Sequence, residues 1–127
     1  MKLSEYFENS TGIGVLSTAD GSGKVNSAIY GRPHFRDDHT VAFIAADRLT
    51  HANLQTNPHA VYLFKEDGCF EGQRLYLTKI HEEKDSPLID EIRRKGSKEH
   101  TGKYKTGSRF LVCFKVDSVL PLIGDAP

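Results

Sequence analysis

Over most of this chain apolar positions alternate with polar ones, and elsewhere they recur at helical spacing. Ile13-Gly14-Val15-Leu16-Ser17-Thr18 is apolar and β-branched, and Asp20-Gly21-Ser22-Gly23 turns it into Val25-Asn26-Ser27-Ala28-Ile29-Tyr30. The two segments read as a hairpin. A second turn, Arg36-Asp37-Asp38-His39, leads into Thr40-Val41-Ala42-Phe43-Ile44-Ala45. That run is apolar on both faces, the pattern of a strand central in its sheet. Further strands are expected at 60–64, at 73–80, where polar and apolar residues alternate and the apolar side lines a core, and over the long apolar stretch 109–122.

Three helices complete the pattern. Residues 3–9 form a short amphipathic turn with Ser4 as cap. Residues 50–57 are stopped by Pro58, whose ring removes an amide and clashes with the preceding turn. Residues 87–94 end at Gly96, and a loop rich in lysine and glycine then runs to Ser108. The order is helix, three strands, helix, two strands, helix, strand, without internal repeats. Short hairpins and few helices favour a closed or nearly closed antiparallel barrel over a parallel α/β sheet. The 127 residues fit a single domain, 1–127.

Charge and cysteine content narrow the function classes. Lysine plus arginine equals aspartate plus glutamate at 17 each, so no global field draws the protein to nucleic acid or membrane, and any electrostatic site is local. No run approaches the ~18 apolar residues of a membrane span, and acidic residues at the N-terminus oppose a signal peptide, which makes the cytoplasm the expected location. Cys69 and Cys113 are far apart without a secretory context; a disulfide is not expected, Cys113 reads as a small buried thiol, and Cys69 lies in a loop open to solvent.

Several motifs fail. Gly21-Ser22-Gly23-Lys24 has Thr18 where a phosphate loop needs its leading glycine and Val25 where it needs Ser or Thr, so it is a turn. Gly12-Ile13-Gly14 precedes a strand instead of following one, unlike a dinucleotide fingerprint. The six histidines lack the close spacing of a helical metal site, and no metal is expected. Ser17 and Ser27 lack a nucleophile elbow. The basic stretch 93–109 carries cations with one interleaved aromatic, Tyr104, and reads mainly as a solvated loop, with a nucleic-acid surface as the alternative.

What remains is Asp47-Arg48-Leu49-Thr50-His51-Ala52-Asn53-Leu54-Gln55-Thr56-Asn57-Pro58. Thr50 or Asp47 can cap the helix, and its first amides, with Arg48 and the Thr50 hydroxyl, would form an anion site for a phosphate. The competing reading is a surface arginine and a plain cap.

This block and its flanking strands resemble the pyridoxamine-phosphate-oxidase-like FMN-binding split-barrel family. The residues that carry the resemblance are Gly14-Val15-Leu16-Ser17-Thr18-Ala19-Asp20-Gly21, the strand from Val25 to Tyr30, and Asn53-Leu54, Asn57-Pro58 and Val61 at the helix-to-strand junction. The resemblance implies a dimeric, six-stranded antiparallel split β-barrel. It places the FMN phosphate at Arg48-Leu49-Thr50-His51, with Asn53 in the same helix. The flavin would lie along Asn26, Ser27, Ala28, Ile29 and Tyr30, with Ile44 and Ala45 completing a pocket that a second subunit closes. The residue chemistry agrees: Arg48, Thr50 and His51 suit a phosphate, Asn26 and Ser27 a ring edge, Ile29, Tyr30 and Ile44 apolar walls.

The chain departs from the oxidase at Thr50, where a lysine commonly contacts phosphate. Its short C-terminal part also lacks the tryptophan- and arginine-containing substrate end. The resemblance therefore implies the cofactor and not that enzyme's substrate. The expectation is a homodimeric FMN-dependent oxidoreductase acting on a small molecule with a nicotinamide or similar electron donor. The alternatives are a flavin-carrying or electron-transfer protein without turnover and a nucleic-acid-binding barrel using 93–109.

Overall fold

The computed structural model describes residues 2–95 and 108–125, except the side chains of 93–95. The elements are α1 (Leu3–Glu8), β1 (Gly12–Ala19), β2 (Val25–Tyr30), β3 (His34–Phe35), β4 (Thr40–Ala46), α2 (Leu49–Thr56), β5 (His59–Glu66), β6 (Gly72–Lys84), α3 (Pro87–Lys95) and β7 (Arg109–Pro121). Gly96 and most of the basic stretch lie outside the described residues. Among the described residues no helix is long and apolar enough to cross a membrane.

The strands form one seven-stranded antiparallel sheet in the order β2-β1-β5-β6-β7-β4-β3. The expected β1–β2 hairpin is present, with Ala19 opposite Val25 and Gly14 opposite Tyr30. Its turn is held by the Asp20 carboxylate, which accepts from the Ser22 amide at 2.9 Å and the Lys24 amide at 3.0 Å. Gly23 supplies the positive φ of 89° that the turn requires.

The sheet curls without closing, so the barrel is open between β2 and β3. Side chains bridge that gap where backbone pairing does not: the rings of Tyr30 on β2 and Phe43 on β4 meet edge to face at 6.1 Å. The concave side holds the main core, including Leu16, Val41, Phe43, Tyr62, Phe64, Leu75, Leu77, Val112 and Phe114. α1 seals this side by seating Phe7 against Phe64 and Tyr62 at 5.2 and 6.1 Å. Arg32 Nη1 ties the helix down by donating to the Phe7 carbonyl at 2.6 Å. On the convex side α3 lays Ile89 over Ala42, Leu111 and Cys113.

The structure corrects several expectations. The sheet has a seventh strand, β3, whose two residues are too few to show alternation. β4 is not central: it pairs with β7 along its length and with β3 over two residues only. Its two apolar faces arise because Val41, Phe43 and Ala45 enter the main core while Ala42 and Ile44 meet α3. β6 continues past residue 80 to Lys84, because register shifts at Tyr76/Leu77 and Lys79/His81 break the alternation. Ser4 does not cap α1, which starts at Leu3 as expected but with Lys2 at its N-cap. Cys113 is buried and Cys69 half-buried, and both are free thiols.

Candidate functional site

α2 leaves the end of β4, crosses one mouth of the curled sheet and packs against β1, β2 and β4. Leu54 carries it into the core. Asn53, also buried, donates from Nδ2 to the Thr18 hydroxyl of β1 at 3.1 Å. Neither Thr50 nor Asp47 caps this helix. Its N-cap is Arg48 in extended conformation, and the Arg48 side chain makes no capping hydrogen bond. Thr50 has moved inside the helix, where it is 4% exposed and its side chain lies beside that of Tyr30 on β2. Burial raises the Tyr30 pKa, and the neighbouring Thr50 side chain opposes the shift.

The site residues expected from sequence fall into three groups. Asn26, Ala28 and Tyr30 are half-buried on the inner face of β2, and Tyr30 joins Thr50. Asn53 and Ala45 are buried nearby, while Arg48 and Leu49 begin α2 exposed to solvent. Of these, Tyr30 is brought beside Thr50 where α2 packs against β2, at the split, the open side of the barrel. Ser27 and Ile29, by contrast, point to the convex face, where Ser27 Oγ pairs with Ser17 Oγ at 2.8 Å. Ile44 sits under α3, opposite in face to Ala45.

His51 is 8% exposed, with its ring set between Phe110 of β7 and Glu82 of β6. Its ring stacks on Phe110 with centroids 3.7 Å apart, and Nε2 lies 2.9 Å from Glu82 Oε2. Glu82 also accepts from Lys79 Nζ at 2.6 Å and Gln55 Nε2 at 3.0 Å. Glu82, Lys79 and Gln55 escaped the sequence reading, because Glu82 is 31 residues from His51 and lies where the β6 alternation fails.

A groove of about 410 Å³ runs over the convex face, lined by Ser17, Val25, Val61, Tyr76, His59 and Asp117 among others. None of the expected cofactor residues lines it. A flavin phosphate needs amides and a cation, which α2 offers and this groove does not, so the split is the better candidate site. Among the described residues no cluster of three histidine, cysteine, aspartate or glutamate side chains is placed to hold a metal ion.

Comparison with known proteins places the architecture. No family model matches the sequence, and no curated protein matches it. Solved structures do. An FMN-binding protein from Syntrophomonas wolfei superposes with a TM-score of 0.75 at 22% identity, over 97% of this chain and 85% of its own. HupZ of Group A Streptococcus gives 0.69 at 17% identity, over 96% and 92%. A protein from Listeria innocua assigned as a pyridoxamine 5'-phosphate oxidase gives 0.68 at 17%, over 95% of each chain. The fold is thus the one that the sequence resemblance implied, the mainly β architecture shared by FMN-binding and pyridoxamine-phosphate-oxidase-like proteins.

Proposed function

We propose that the chain is an FMN-binding protein that works as a homodimer and oxidises or reduces a small molecule in the split between β2 and α2. The observation that carries this reading is the start of α2. Arg48 stands at the N-cap without a side-chain capping bond, and the turn meets the inner side of β2 where buried Thr50 lies beside Tyr30. Amides and the positive end of the helix dipole converge there beside a guanidinium, the donor set that a phosphate dianion fits.

FMN, once bound, supplies the acceptor or donor of the electron pair. The chain's own residues bind and orient it. Arg48 and the α2 amides would hold the phosphate, and Thr50 would orient Tyr30 as one wall. Asn26 and Ala28 would face the flavin along β2, with water kept out by Phe43 behind Tyr30. That a fold is shared with an FMN-binding protein supports the cofactor, and the departure at Thr50 separates this site from the oxidase's own.

The test is reconstitution with FMN and with riboflavin, followed by flavin absorbance. FMN is expected to bind more tightly than riboflavin, which lacks the phosphate. Arg48→Ala is expected to weaken FMN by about 1.5–3 kcal/mol, the worth of a charge-assisted hydrogen bond, and to leave riboflavin unchanged. Equal affinity of the wild type for both compounds would remove the phosphate site. Steady-state bleaching of the bound flavin by a nicotinamide donor tests the oxidoreductase assignment.

A further inference from the structure

The cofactor reading leaves the cluster between α2 and β6 unused, and its geometry is specific. In a regular strand residues three apart point to opposite faces. Here the register shift between Lys79 and His81 leaves Ile80 without a partner and turns Lys79 and Glu82 to the same side. That side faces α2. Glu82 then meets His51 in the first turns of the helix through one oxygen, and Gln55 one turn later through the other. Gln55 Nε2 also donates to the His51 carbonyl at 3.1 Å, and the His51 ring is clamped flat against Phe110. The Asp47 carboxylate lies 3.7 Å from His51 Nδ1, at the very start of the helix.

We infer that Glu82 is a positioning residue for the phosphate-facing turn of α2: by holding His51 and Gln55 from the bulged end of β6, it fixes where Arg48 and the first amides of the helix stand. This rests on the cofactor reading above for its ligand, but not for its mechanical part. A bond to His51, next in the chain to Thr50, acts within one turn of the N-cap. Both Glu82 and Lys79 are largely enclosed, with side-chain exposures of 21% and 14%, so their pairing is less screened than a surface ion pair.

Two measurements test it, on wild type, Glu82→Ala and Glu82→Gln. Amide hydrogen exchange without ligand reads the mechanical part. Glu82→Ala should speed exchange of the α2 amides about tenfold, the equivalent of losing one charge-assisted hydrogen bond, while β1 and β5 keep their protection. Flavin titration reads the ligand part. FMN affinity should fall about tenfold in Glu82→Ala while riboflavin affinity moves less than about twofold. Glu82→Gln, which still accepts from Lys79, should fall between. Unchanged α2 exchange overturns the inference, and so does an equal loss for FMN and riboflavin, which marks a merely structural residue. If the wild type takes up no flavin, the cofactor reading fails separately and the exchange arm alone decides whether Glu82 holds α2.

Discussion

A carboxylate that turns inward keeps its charge only if donors replace the water it loses, and Glu82 has three. Burial by itself raises its pKa, but the hydrogen bonds from Lys79, His51 and Gln55 outweigh that effect and hold the carboxyl down at about 2. Its ordinary value is 4.5, so the folded state gains from the ionised form. That contribution is present in full above pH 4.5 and is lost as the pH falls through about 2. Wild type should therefore exceed Glu82→Gln in Tm by a margin that is constant at neutral pH and shrinks on acidification across this window. Melting curves of both proteins through the range check it, and a margin independent of pH would show that the carboxylate is not held by charge. Tyr62 presents the opposite case. Burial pushes its pKa up, so its hydroxyl stays a donor to the Gly31 carbonyl at 2.9 Å.

At the scale of elements, alternation made β1, β2 and most of β6 legible, because each has one face on the core and one outside. The same logic failed where a second layer intervened. β4 is apolar on both sides because α3 covers its convex face, and nothing in its own seven residues distinguishes that from a central strand. Bulges are equally opaque, since β6 continues beyond the residue where its period breaks. Glycine at Gly72 is a further feature that pattern reading passed over. It opposes Lys65 at the start of β6, and a Cβ there would overlap the backbone carbonyl of Phe64. Backbone cannot swing aside as a side chain can. Gly72→Ala should cost about 1–3 kcal/mol of stability, the usual price of overpacking, measurable as a lower urea midpoint. An unchanged midpoint would mean that the β5–β6 pairing slides freely at this end.

For the whole molecule, the candidate site was legible as a block, residues 47–58, but not in its orientation. Sequence placed His51 beside the phosphate with Arg48, whereas the fold turns its ring to Glu82; it joined Ile44 to Ala45, whereas alternation sends them to opposite faces. Ser27 and Ile29 were likewise grouped with Asn26 and Tyr30, yet they lie on the convex face. That displacement has its own meaning. Ile29 is 61% exposed and stands in line with Val15 and Leu63 across β2, β1 and β5, with Ile13, 50% exposed, next to Val15 on the same face and Val25, 78% exposed, further along β2 beyond Ser27. A row of aliphatic side chains next to the open edge of β2 is unfavourable in water, and a second copy covering it would remove both the apolar area and the free edge. The proposed dimer would use this face, and β2 would link it to the proposed cofactor site, because its alternate residues Ala28 and Tyr30 lie on the opposite, inner face. Light scattering of the wild type should give twice the chain mass, and Ile29→Glu should give the monomer by placing a charge in the contact. If the second subunit closes the pocket, Ile29→Glu should also weaken FMN, although its side chain points away from the split. A dimer that survives Ile29→Glu moves the interface elsewhere, and a monomeric variant that binds FMN as tightly as the wild type would separate assembly from cofactor binding.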